Sequence, residues 1–290
     1  MGFDNHNKVS VTGPVDLFRP GGPIHPIRVA KLLDETLGSV RELKTAPVDG
    51  NILLYQQIGD EQEVLAVRFS DVYSASQAAE ITAAYDDLIA AKPNFYTSSA
   101  QKRNRSSTPA FYAGFWQRFT SKPFLSRAAD KQSPEILAKL DHLLLLLDKY
   151  VAQKTLGILK QHYPALWQKQ KDTLEWLHQQ PKIAKLLEAR PALRNSLWAC
   201  LAVKMGGSER LHIDSSDPAE LMTAIFAMGD FEGGELELPT TGYRIPVQPG
   251  QVLFAKTRIL PHNTAPILSG TRYAFTGFTD SIIVDQAKGL

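Results

Sequence analysis

Hydrophobic positions along the chain change their period twice. Residues 52–58 and 63–69 are strand-like apolar runs, and the polar turn 59–62 between them predicts a hairpin. Residues 74–91 have helical composition and stop before Pro93, where a helix should end. Ser133 before Pro134 reads as an N-cap with proline in the first turn. The helix it opens carries Leu137, Leu140, Leu144, Leu147 and Val151 at three- and four-residue spacing, and is expected to end near Pro164. A second helix is predicted over 165–180, stopping at Pro181, and a short third one before Pro191. Two stretches show no period. The first fifty residues, with Arg19-Pro20-Gly21-Gly22-Pro23, read as an irregular arm, and residues 96–130 are basic, Ser-rich and aromatic.

After Arg194 the texture is different. Short strand-like runs at 197–205, 222–228, 235–238, 243–247, 252–255 and 272–278 are punctuated by Gly206-Gly207, Gly233-Gly234, Pro249-Gly250 and Ser269-Gly270. Closely spaced short strands with turn signals predict a β-sandwich or barrel. The expected fold class is therefore α+β. Residues 1–195 would form an arm, a hairpin and a helical support region, and residues 196–290 a β-barrel or jelly roll. The β part is short for a self-sufficient sandwich, so the helices are expected to cover one sheet and complete a single unit.

Composition narrows the function classes. The chain has 290 residues, 43% of them hydrophobic, which is enough to bury a sizeable core. Its 32 Lys+Arg against 30 Asp+Glu leave a net charge of +2, so any nucleic-acid affinity must come from a local patch. One cysteine, Cys200, excludes an internal disulfide framework and any multi-cysteine metal site; it reads as a small buried hydrophobe. The longest aliphatic run, residues 143–147, is far too short to span a membrane, and the polar start lacks a signal-peptide pattern. These features predict a nuclear or cytoplasmic protein that is neither secreted nor membrane-bound.

The β part holds two of the seven histidines. His212-Ile213-Asp214 places an imidazole and a carboxylate on one side of an extended segment, and His262 follows fifty residues later. Two histidines and one carboxylate on one face of an octahedron leave three positions open, as non-haem Fe(II) oxygenation requires. An HxD pair alone is a short motif: His212 also reads as a turn residue and Asp214 as a solvated loop acid. Order strengthens the metal reading, because Arg272 follows His262 in a predicted strand. There a planar guanidinium would take a carboxylate bidentately, although a structural ion pair is the common fate of a strand arginine. Asp217, before Pro218, reads as a helix cap. Asn263 reads as a turn residue or a ligand contact.

At these residues the sequence resembles the Fe(II)/2-oxoglutarate-dependent dioxygenases, whose core is a double-stranded β-helix of the cupin-like jelly-roll type. The runs GDFEGGELELP (229–239), PGQVLF (249–254), LPHN (260–263) and GTRYAFTGFTD (270–280) follow that family's order of strands and turns. More narrowly, they are similar to the fungal branch grouped with the TET/JBP nucleic-acid base oxygenases. The resemblance covers residues 197–280. It implies that His212, Asp214 and His262 ligate Fe(II) as the catalytic centre, that Arg272 binds the distal carboxylate of 2-oxoglutarate, and that O2 is the second cosubstrate. Oxidation of a substrate C–H bond, with succinate and CO2 as coproducts, would follow. Strand alternation then puts Arg272, Ala274 and Thr276 on one face, where Thr276 would hydrogen-bond the cosubstrate or simply be a half-buried strand threonine.

The favoured substrate by resemblance is 5-methylcytosine in DNA. A hydroxylase of protein side chains or small molecules would use the same iron site, and a degenerate β-barrel binding module is the non-enzyme alternative. The intact set of His212, Asp214, His262 and Arg272 argues against degeneracy. Lys102, Arg103 and Arg105, close to Phe111, Tyr112, Phe115 and Trp116, supply the densest local cations for phosphate contact. The same aromatics read more readily as a local core beside a solvated basic loop.

Overall fold

The structure is a computed structural model that describes residues 6–11, 42–96, 108–117 and 120–289. The hairpin forms as β3 (Asn51–Ile58) and β4 (Glu61–Phe69), paired antiparallel. They belong to a nine-stranded sheet of order β1-β3-β4-β12-β8-β15-β7-β5-β6. The other members are β1 (His6–Ser10), β5 (Phe111–Trp116), β6 (Phe124–Leu125), β7 (Cys200–Met205), β8 (Thr223–Met228), β12 (Val252–Ala255) and β15 (Tyr273–Phe278). Strands from both sides of position 195 thus share one sheet. A four-stranded sheet of order β13-β10-β11-β2 faces it, made of β2 (Lys44–Thr45), β10 (Leu236–Leu238), β11 (Tyr243–Ile245) and β13 (Asn263–Thr264). A two-stranded antiparallel sheet of β9 (Phe231–Gly233) and β14 (Ile267–Gly270) accompanies them.

Strand alternation sorts the core into two clusters. Phe226, Phe254 and Phe275 point from the large sheet toward the helices, whereas their neighbours Ile225 and Leu253 pack with Leu236, Leu238 and Ile245 of the small sheet. Phe226 and Phe275 stack with centroids 5.1 Å apart. The second cluster is the interior of a double-stranded β-helix, and the first is its helical support.

Among the described residues the α-helices are α1 (Ala75–Ala90), α2 (Arg127–Asp130), α3 (Pro134–Leu147), α4 (Gln153–His162), α5 (Pro164–Gln179), α6 (Pro181–Ala189) and α7 (Ser281–Lys288). Ser74 caps α1 in a reciprocal capping box with Gln77, and Ser133 caps α3 ahead of Pro134. Between α3 and α4 the chain continues through one π-helical turn, Asp148–Ala152. There Asp148 accepts from Ser196 Oγ at 3.2 Å and Asn195 Nδ2 at 3.4 Å, tying the helical layer to the segment that enters β7. Among the described residues no helix is long and apolar enough to cross a membrane.

Several elements depart from the sequence reading. The first fifty residues, read as an irregular arm, contribute β1 and β2, and the unpatterned stretch 96–130 contributes β5 to the main sheet. Each is recruited by pairing with a distant strand, which overrides weak local signals. Phe111 and Phe115 of β5 are buried in the helix-side core. Arg68 of β4 is fully buried and donates to the carbonyls of Pro47, Gly50 and Pro246 at 2.8, 2.9 and 2.8 Å, and so clips the segment between β2 and β3 to the strand end after β11.

Candidate metal centre

A ladder of backbone contacts leads from the edge of the large sheet to the centre. Gly206 N–H donates to the Arg272 carbonyl at 2.7 Å, and Thr264 N–H to the Ser208 carbonyl at 2.7 Å. His212 and His262 then exchange both backbone hydrogen bonds, at 3.0 and 2.8 Å. Such a reciprocal pair sets the two residues directly opposite each other. The imidazoles consequently lie with centroids 4.4 Å apart and tilted by 50°.

Each ring is fixed by the same local device. His212 Nδ1 lies 2.7 Å from the Arg210 carbonyl and His262 Nδ1 lies 2.9 Å from the Leu260 carbonyl, in both cases two residues earlier in the chain. A carbonyl oxygen only accepts, so Nδ1 carries the proton, and in the neutral ring Nε2 keeps its lone pair. Both Nε2 atoms face Asp214, at 3.9 Å from Oδ1 for His212 and 3.5 Å from Oδ2 for His262. The three donor atoms lie within 4.8 Å of one another, and all three residues are buried. Asp214 is itself held by its N–H, which donates to the Thr257 carbonyl at 3.0 Å.

This donor set fits a divalent iron ion. Two imidazole nitrogens and one carboxylate suit Fe(II), and three ligands leave coordination sites for other groups. The hydrogen bonds on Nδ1 are the outer contacts that orient metal-ligating histidines.

Arg272 lies immediately before β15 rather than inside it, next to the end of β7. It is 3% exposed, and its guanidinium sits 5.5 Å from the Phe231 ring centroid. One terminal nitrogen donates to the Gly206 carbonyl at 2.9 Å, while Nε is buried without a hydrogen-bond partner. Burial draws its pKa down to about 10, opposed by nearby Glu235, so the group stays a cation at neutral pH. A buried guanidinium with an orphaned donor is the situation a bound carboxylate would relieve. Gly234, in the left-handed region at φ +71°, leaves room for it: a Cβ there would fall 2.8 Å from Arg272 Cδ. The fit to a 2-oxo dicarboxylic acid rests on these contacts.

Thr276 lies four residues further along β15, half-buried, opposite Ala202 and Ile225. Asn263 turns to Glu237, donating to Oε2 at 2.8 Å. Asp217 is not a helix cap. The chain after it turns without forming a helix, and its carboxylate is buried against Thr223 and Thr257, contacts with partners 6 and 40 residues away that no local motif signals. Cys200 is buried in β7, where burial pushes its thiol pKa up. Lys102, Arg103 and Arg105 lie outside the described residues.

No protein-family model and no curated protein matches the chain. Solved structures do. A structure described as NgTET1 in complex with 5mC DNA is 17% identical, covers 97% of this chain and 84% of that one, and superposes with a TM-score of 0.56. OsALKBH1, at 16% identity and a TM-score of 0.41, covers 78% of this chain and 99% of that one. A viral collagen prolyl hydroxylase from Paramecium Bursaria Chlorella virus-1, solved as a 2OG complex, is 12% identical over 74% of this chain and 94% of that one, with a TM-score of 0.33. The chain has the double-stranded β-helix fold of the Fe(II)/2-oxoglutarate-dependent oxygenases, and in His212, Asp214 and His262 it carries a His/Asp/His group able to hold their metal.

Proposed function

We propose that the chain is an Fe(II)/2-oxoglutarate-dependent dioxygenase that oxidises 5-methylcytosine in DNA. The observation that carries the enzyme class is the convergence of two Nε2 atoms and one carboxylate at a buried site, with both imidazoles locked in the metal-binding tautomer. The substrate class is supported by the near-complete overlap with a fold solved on 5mC DNA, together with the TET/JBP-like order of motifs.

In this reading His212, Asp214 and His262 hold the iron, and Arg272 takes the distal carboxylate of 2-oxoglutarate. When bound, iron and cosubstrate supply the oxidising chemistry, in which 2-oxoglutarate and O2 yield succinate and CO2 as the substrate C–H bond is oxidised. The chain's own part is placement. The Nδ1 hydrogen bonds hold the imidazoles in register, and Arg272 fixes the direction in which the oxo acid enters. Thr276 is assigned a supporting contact to the cosubstrate from its place on the strand. A duplex cytosine must leave the stack to reach a buried centre, and Lys102, Arg103 and Arg105 are assigned to the flanking phosphates.

The test is incubation of the full chain with Fe(II), 2-oxoglutarate and methylated duplex DNA, followed by mass spectrometry of the digested nucleosides. Oxidised 5-methylcytosine is expected. Neutralising Lys102, Arg103 and Arg105 together should weaken DNA binding and flatten its salt dependence, because fewer counterions are released. Unmodified nucleosides alongside basal succinate formation would overturn the DNA assignment and favour a protein or small-molecule substrate.

A further inference from the structure

Behind the metal centre lies a polar cluster that coordination does not use. Asp217 Oδ2 accepts from Thr223 Oγ1 at 2.6 Å and from Thr257 Oγ1 at 2.9 Å, and the two hydroxyl oxygens are 2.8 Å apart. All three residues are buried, at 8, 3 and 2% exposure. Each hydroxyl has one proton to give, so the three groups hydrogen-bond one another and their buried polar atoms are satisfied within the cluster.

The main chain joins this cluster to the metal ligands. Asp217 N–H donates to the Asp214 carbonyl at 2.9 Å, and Asp214 N–H donates to the Thr257 carbonyl at 3.0 Å. Thr257 therefore grips both ends of the 214–217 turn, one with its carbonyl and one with its hydroxyl. It also opens the segment that runs on to His262. Thr223, at the start of β8 and paired with Ala255 of β12, fixes the assembly to the large sheet. A closed circuit of hydrogen bonds thus spans the turn that bears Asp214, the segment that bears His262 and the rigid strand beneath them.

We infer that Asp217, Thr223 and Thr257 form a clamp of positioning residues that presets Asp214 and His262 for the metal. The inference rests on the iron-site reading above. Outer contacts of this kind change metal affinity about 10–100-fold when removed.

The experiment is Mn(II) binding to the metal-free full chain, with no cosubstrate or turnover, followed by the EPR signal of free Mn(II). Wild type, Thr257→Val, Thr257→Ser and Thr223→Val are compared, with His212→Ala as the site-null control. Thr257→Val keeps the side-chain volume and should weaken Mn(II) binding at least tenfold, while Thr257→Ser, which keeps the hydroxyl, should return it to within a few-fold of wild type. A melting temperature that falls in Thr257→Val while Mn(II) affinity stays at the wild-type value overturns the clamp and leaves a purely structural network. Where Thr257→Val does not fold, Thr223→Val tests the same carboxylate from the β8 side; failure of both to fold would assign the cluster to the core and end the proposal. Wild type and His212→Ala binding Mn(II) alike would instead remove the iron-site reading itself, and the clamp with it.

Discussion

His212 and His262 are prepared in the same way, by a carbonyl two residues upstream that takes the Nδ1 proton. The repetition matters because a histidine free to choose its tautomer would present the wrong nitrogen to a metal part of the time. Arg272 is prepared differently, by burial with one donor used on Gly206 and Nε left over. Lysine at this position would keep the charge and lose the planar fork, so Arg272→Lys should weaken 2-oxoglutarate binding roughly tenfold or more, the scale of a charged hydrogen bond. A cosubstrate titration of the metal-loaded variant measures this, and an unchanged curve would return Arg272 to a structural role with Gly206 and Phe231. The four residues were legible in the sequence because imidazole, carboxylate and guanidinium are uncommon among short apolar strands and stood in a familiar order. Asp217, Thr223 and Thr257 were not. Threonine suits any strand, and a carboxylate before proline has a simpler explanation until its distant partners are seen.

At the scale of elements, helices were easier to read than strands. Ser74 and Ser133 supply caps, prolines supply stops, and leucine spacing supplies a face, all within one local window. β1, β2 and β5 carry no comparable signal, since each exists through pairing with a strand far along the chain. The β9–β14 pair links this scale to the site. Gly233 and Gly234 both have positive φ, but only Gly234 touches Arg272: its added Cβ would meet Arg272 Cδ at 2.8 Å and Ile267 Cδ1 at 2.6 Å, whereas one on Gly233 would meet the Pro266 carbonyl at 2.4 Å. Alanine at either position should destabilise the fold by about 1–3 kcal/mol through backbone strain and crowding. Only Gly234→Ala should also weaken 2-oxoglutarate binding. Thermal melts paired with cosubstrate titrations of the two variants separate the effects, and equal titrations would show that the glycine does not make room for the arginine.

Over the whole molecule, two sheets enclose an apolar interior, a helical layer backs the larger sheet, and the polar centre lies where backbone contacts from β7 to His212 meet the segment that follows β12. The helical layer shares its aromatic core with the strands, so the large sheet is stiffened from behind. The proposed function stands on His212, Asp214 and His262 holding an iron that turns over 2-oxoglutarate. The most direct measurement is Fe(II)- and O2-dependent succinate formation by wild type, His212→Ala and Asp214→Ala, each checked for retained fold by circular dichroism. Succinate is expected from wild type and none above background from either folded variant. Wild-type rates of succinate formation in both variants would remove the metal assignment.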